Sequence, residues 1–391
     1  ILRCLVGSEM CIRDRDIFHS FYLKYLDRYT PSAEQAKVSH CIMNCKTGAY
    51  GANVSVCEDC GHLQIHYNSC RNRCCPMCQA LPTEKWMDAQ REDVLEAPYF
   101  HVVFTVPQEL NPLIYCNQKL LYDALYHSVS STINELAEDE KYLGAKVGYI
   151  CILHTWGSEM NFHPHIHVIL LGGGLTAKNQ WRDKGEEFFF PVKVLSKLFR
   201  GKYLDELKTL WKNKKLHFHG SSEKYRNHYA FKELINICYE KDWIPHCKKA
   251  FNGAQSVIHY LGKYIHRIAI SNRRIIHMDE NTVTYYVKDY REAGKWKALT
   301  IPGVEFIRRF LMHVPPKRFV RIRHYGLLCT RSKTKHLTLC RNLLGCRQYL
   351  SRLKNMETAQ ILETLYGIKV SVCKCCGGHL GKPQQRIPLR I

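Results

Sequence analysis

The chain has 391 residues, 46% of them apolar and 24% charged, a globular balance in a polypeptide long enough for more than one domain. No apolar run approaches the length needed to cross a bilayer, which sets membrane functions aside and predicts a soluble protein. A formal charge of +22, from 57 Lys and Arg against 35 Asp and Glu, points to a polyanionic partner; the basic residues thicken between Arg308 and Lys354 among Phe, Tyr and His, a mixture suited to nucleic acid whose bases stack.

Residues 1–15 lack an initiator Met and read as sequencing-adapter read-through joined to a truncated gene, so they are set apart from fold reasoning. From 16 to about 39, Ile17, Phe21, Tyr22, Tyr25 and Leu26 recur at helical spacing, and Pro31 separates two short helices. A cysteine-dense block with little aliphatic content fills 40–79, and a helix follows over 82–96, so 16–96 is expected to be N-terminal helices and a zinc-binding domain. Aromatic and β-branched residues predict a buried strand over 99–106, ended by Pro107. A helix over 113–136 leads to strands over 147–156 and 164–171, joined by a turn at 157–161, the second stopped by Gly172-Gly173-Gly174. Strand, long helix and strand hairpin in that order predict an α+β fold, an antiparallel or mixed sheet with helices on one face and the other face open. Helices are expected over 194–210, 225–239 and 255–266, a hairpin over 267–278 and 282–288, a short helix over 305–313 and a last strand over 319–325. The catalytic domain is thus 97–330, followed over 331–391 by a basic tail ending in Cys373-Lys-Cys-Cys-Gly-Gly, with no internal repeat and no low-complexity linker.

Twenty cysteines in a chain without a secretory signal, clustered at metal-ligand spacing, indicate a reducing cytoplasm rather than a disulfide framework. Cys57-x-x-Cys60-Gly and Cys75-Pro-Met-Cys78 are knuckles that together supply the tetrahedral ligands of one Zn²⁺. Cys41, Cys45, Cys70 and Cys74 repeat a four-residue spacing that permits a second ion, although buried thiols acting as small apolar residues explain them equally well. Four thiolates leave no open coordination position, so the block is structural and serves DNA contact or docking, with Arg71 and Arg73 beside the metal. Cys373 and Cys376 form half of another site.

His163-Pro164-His165-Ile166-His167 carries the chemistry. On an extended strand these three histidines point the same way, close enough to share a divalent ion. Tyr260 and Tyr264, four apart on the expected 255–266 helix, offer two phenolic oxygens to one place. Metal with paired tyrosines suggests phosphoryl transfer. Imidazoles favour Mn²⁺ over Mg²⁺, while supply favours Mg²⁺, so the catalytic ion is expected to be one of the two. His154, Glu159 and His163 are candidate third ligands.

Several strings in order resemble the IS-ninety-one-type rolling-circle transposases: 154–158, the 163–167 run, 260–272, 305–313 and 321–328, with 69–79 resembling that family's zinc-binding domain. The resemblance covers nearly all of 40–330 and departs from the family at Cys74, where a His is expected. It implies an HUH-type nuclease acting on single-stranded DNA at element ends and target, with His165 and His167 as paired metal ligands and Tyr260 and Tyr264 as nucleophiles forming a 5′-phosphotyrosine. Arg308, Arg309, Arg321 and Arg323, within the basic stretch, join Arg71 and Arg73 as candidate DNA contacts, and association with the nucleoid follows. Two rivals stand beside this reading: a hydrolytic zinc enzyme using the three histidines, and a zinc-dependent DNA-binding protein or inactive transposase remnant.

Overall fold

In this computed structural model, the structure describes residues 14–185, 190–249, 256, 262, 268–289, 292 and 294–386. Two helices, α1 (Asp14–Leu26) and α2 (Ala33–Asn44), precede a hairpin of β1 (Ala52–Val56) and β2 (Leu63–Tyr67), and α3 (Ala80–Arg91) follows. Pro31 does separate the first two; Ser32 and Gln35 cap α2 reciprocally, with the Gln35 amide donating to Ser32 Oγ at 3.3 Å and the Ser32 amide donating to Gln35 Oε1 at 2.8 Å.

The central sheet uses β3 (Tyr99–Thr105), β4 (Lys146–Trp156), β5 (Phe162–Leu175), β6 (Trp181–Asp183), β7 (His246–Lys249) and β11 (Ile322–Gly326). Its order is β11-β4-β5-β3-β7, with β6 pairing β5, and every pairing is antiparallel. Side chains alternate across it. Phe100, Val102, Phe104, Val147, Tyr149, Cys151, Leu153, Ile166, Val168 and Leu170 face one core. There they meet α5 (Gln118–Glu138), which follows the short α4 (Asn111–Cys116), as well as α6 (Val192–Lys212) and α7 (His228–Glu240). Leu121, Leu125, Val129 and Ile133 of α5, four apart, make the stripe that docks.

Chain segments also cover part of the opposite face, which the sequence reading left open. Tyr99, Ile150, Ile152, Ile169 and Leu171 pack there against Leu95, Trp86 of α3 and Leu337 of α9 (Lys333–Leu344). A second sheet, β8 (Ile275–Met278), β9 (Thr282–Asp289) and β10 (Lys295–Pro302), packs with α1 and α8 (Gly303–Met312) around Phe18, Tyr285, Phe306 and Phe310. The hairpin expected over 267–288 thus gains a third strand, β10. Last come α10 (Thr358–Tyr366) and β12 (Gln384–Arg386), which pairs antiparallel with β1.

One element differs from expectation in an instructive way. Gly172-Gly173-Gly174 does not stop β5, which runs on to Leu175. A Cβ on Gly174 would lie 2.4 Å from the Lys146 carbonyl oxygen, and one on Gly173 would lie 2.4 Å from the Trp181 ring, so the glycines let β4 and β6 approach the strand closely.

Candidate metal-dependent active site

β5 places His165 and His167 on the face opposite α5 and α6, because Ile166 and Val168 fill that helical core. β4 adds His154, the direct cross-strand partner of His165. One ligand nitrogen from each of the three lies within 4.8 Å of the others, and His165 Nε2 stands 3.0 Å from His167 Nε2.

The outer nitrogens are held as well. His165 Nδ1 is 2.7 Å from the His163 carbonyl, so Nδ1 carries the proton and Nε2 keeps its lone pair for the cluster. His167 Nδ1 is 2.8 Å from His101 Nε2 on β3. Burial holds His165 and His101 down at about 4 and pushes His167 well below the ordinary imidazole value. His101, His165 and His167 are therefore neutral near pH 7, which for His165 and His167 is the form that binds a cation. A nitrogen separation of 3.0 Å also suits two ligands each about 2.1 Å from one ion, so the donor set fits a divalent metal. Trp156 stacks on His154 with ring centres 4.7 Å apart, and the Arg321 guanidinium lies 6.0 Å from the Trp156 ring centre.

His154, one of three candidate third ligands, is the one the fold brings in. His163 contributes its carbonyl, its ring centre 5.1 Å from that of His165, and Glu159 sits in the β4–β5 turn with its side chain accepting from Asn161. His101 was not anticipated, although a lone His in the otherwise apolar run Tyr-Phe-His-Val-Val-Phe was the available signal. Tyr260 and Tyr264 lie outside the described residues. Gly262 between them is described: it is helical and buried, and a Cβ there would lie 1.9 Å from Met87 Sδ of α3.

The cysteines pair differently from the sequence reading. Cys57 and Cys60 do not join Cys75 and Cys78; the latter two meet Cys45, from the end of α2, and Cys70. Cys70 and Cys78 Sγ are 3.8 Å apart, the edge of a tetrahedron with Zn–S bonds of about 2.3 Å, so this set fits one structural zinc. Of the proposed second set, Cys41 instead accepts from the Tyr50 hydroxyl at 3.5 Å, while Cys74 packs in the core with its thiol pushed up to about 11 by burial. The knuckle at Cys373 and Cys376, left as half a site, faces Cys57 and Cys60.

Most of the candidate DNA-contacting arginines engage protein groups. Arg73 donates to the Phe319 and Pro316 carbonyls, Arg308 and Arg309 both pair with Glu305, and Arg323 pairs with Asp123 over the Tyr126 ring. Arg71 is exposed, and Arg321 is half-buried, its guanidinium directed toward the Trp156 ring.

Known proteins resemble this chain. The family described as "Transposase zinc-binding domain" matches residues 17–106, and that described as "Putative transposase" matches 148–336. "Putative transposase y4qJ" of Sinorhizobium fredii is 39% identical over 332 residues, 84% of this chain and 83% of that protein. The chain belongs to the IS-ninety-one type of transposases. This transposase is also 28% identical over 299 residues to "Transposase for insertion sequence element IS801" of Pseudomonas savastanoi pv. phaseolicola, covering 74% of the chain and 69% of that protein. A solved conjugative relaxase in complex with oriT DNA aligns with 66% of the transposase and 96% of its own chain at 13% identity, with a TM-score of 0.26, too slight a likeness to carry argument. No helix among the described residues is long and apolar enough to cross a membrane.

Proposed function

We propose that this transposase nicks and rejoins single-stranded DNA at the ends of its element, in rolling-circle fashion, with Tyr260 and Tyr264 as nucleophiles. One observation carries the reading: His154, His165 and His167 converge on the sheet face where Trp86 of α3 packs, and the neighbouring Met87 touches Gly262, the residue between the two tyrosines. A bound Mg²⁺ or Mn²⁺ would polarise the scissile phosphate. The protein's own groups do the rest. A phenolic oxygen attacks phosphorus, the bond from phosphorus to the 3′ oxygen breaks, and that oxygen leaves as a hydroxyl, gaining a proton for the one the phenol gives up. The 5′-phosphotyrosine keeps the bond energy, so rejoining needs no ATP, and a second phenol lets another strand be cut before the first is resolved. His101 and the His163 carbonyl orient the ligand imidazoles.

The test is a denaturant-resistant protein–DNA band with labelled single-stranded oligonucleotides carrying element ends and Mn²⁺. The band is expected from the parent chain and, in weaker form, from either Tyr260→Phe or Tyr264→Phe, and it should vanish in the double variant. A double variant that still forms the adduct would remove these tyrosines from the mechanism.

A further inference from the structure

We propose that Cys57, Cys60, Cys373 and Cys376 bind a second structural zinc ion, closing a ribbon whose halves come from opposite ends of the chain. Cys57 Sγ is 3.5 Å from Cys376 Sγ and Cys60 Sγ is 3.8 Å from Cys373 Sγ, with all four sulfurs within 4.8 Å of one another. A tetrahedral ion with bonds of about 2.3 Å requires edges of about 3.8 Å.

The backbone supports the same assignment independently of the sulfur distances. Each half is a Cys-x-x-Cys-Gly turn with one hydrogen-bond pattern. The Gly61 amide donates to the Cys57 carbonyl at 3.0 Å and the Gly377 amide to the Cys373 carbonyl at 3.0 Å; the Cys57 amide donates to His62 and the Cys373 amide to Gly378, at 2.9 and 2.8 Å. Both glycines hold the left-handed conformation, φ +68° and +79°, that such a turn requires. Each turn therefore aims its two thiols the same way, and the fold sets the turns face to face. Between them, a Cβ on Gly378 would lie 1.7 Å from Asp59 Oδ2, so a side chain there would have to displace that carboxylate. Around them, Cys57 bridges Leu380, the Glu58 amide donates to the His379 carbonyl at 3.0 Å, and β12 completes a three-stranded sheet with β1 and β2.

The module has almost nothing else to hold it. Its buried apolar cluster is Cys57, Cys373 and Leu380, while Val56, Leu63, Ile65 and Tyr67 on β1 and β2 are exposed. A sheet with so small a core folds only with a staple, and four converging thiols are the staple available. Neither transposase family match reaches Cys373, so the residues that complete the site lie beyond both matched regions.

The protein, purified with its zinc, supplies the test through timed alkylation of its thiols. Cys60, Cys375, Cys376 and Cys329 are all exposed in the fold. With zinc bound, Cys60 and Cys376 should react at least roughly tenfold slower than Cys375 and Cys329, and a chelator should release them together with Cys57 and Cys373. Cys60 and Cys376 alkylating as fast as Cys375 would overturn the proposal. A Cys373→Ser/Cys376→Ser chain should also carry one zinc fewer than the parent by elemental analysis, and an unchanged count would overturn it too. Neither readout depends on DNA cleavage.

Discussion

His101 reaches the metal site through the Nδ1 of His167, and that makes it a positioning residue with a separable signature. In His101→Ala the Mn²⁺ concentration needed for half-maximal adduct formation should rise by about 10- to 100-fold, with adduct restored at saturating metal. His165→Ala should lose the adduct at any metal concentration. His313 invites a different measurement. It is 3% exposed, with Nδ1 3.1 Å from Thr155 Oγ1 and Nε2 3.0 Å from the Met160 carbonyl, and burial holds it down at about 4 against an ordinary 6.5. The unfolded chain takes up a proton there that the folded site refuses. Its contribution is therefore complete above pH about 6.5 and is lost as pH falls toward about 4. Urea midpoints at pH 7 and pH 5 should differ more in the parent than in His313→Gln, and equal differences would refute this assignment. At this scale the sequence spoke clearly for His165 and His167, since alternation on a strand settles their facing. It said little of the arginines, because whether Arg323 meets a phosphate or Asp123 depends on a partner 200 positions away that only the fold brings near.

Elements were legible where one periodicity dominated. The α5 stripe came through because burial on one face imposes its period, and β3 because aromatic and β-branched residues fill a strand buried on both sides. The run at 172–174 misled, since glycine serves both as a turn residue and as the residue that lets backbones approach, and only the positions of β4 and β6 distinguish the two uses. Gly174→Val should therefore push β5 from β4 and lower the melting temperature markedly, whereas the same change at Gly201, inside α6 with open space around its Cβ, should leave stability unchanged or slightly raised. α3 offers a second test. Asp88 accepts from the Tyr349 hydroxyl at 2.7 Å, the Ser351 hydroxyl at 2.6 Å and the Leu353 amide at 2.7 Å, fastening the segment after α9 to α3. Asp88→Ala leaves those donors without their acceptor at a cost of about 1–3 kcal/mol, and limited proteolysis should cut near Leu353 sooner than in the parent.

The molecule as a whole has two kinds of stability. The central sheet holds a large apolar core against α5 and α6, while the ribbon of β1, β2 and β12 rests on its thiols. Stripping zinc should thus speed hydrogen exchange in residues 52–67 and 372–386 while leaving β4 and β5 protected, and uniform loss of protection would contradict that division. The pairing of Cys57 and Cys60 with the C-terminal knuckle was the least legible feature, because knuckle spacing gives the geometry of each half and nothing of which halves meet. A shared Cys-x-x-Cys-Gly signature was the clue.

That pairing spans 313 positions between Cys60 and Cys373. At a ribosomal pace of about 5–20 residues per second, the early thiols emerge roughly 15–60 s before their partners are made. Throughout that interval they are open to oxidants, to stray metal ions and to thiols of neighbouring nascent chains. A messenger cut short before the codon for Cys373 would yield a protein whose first knuckle never finds its mate.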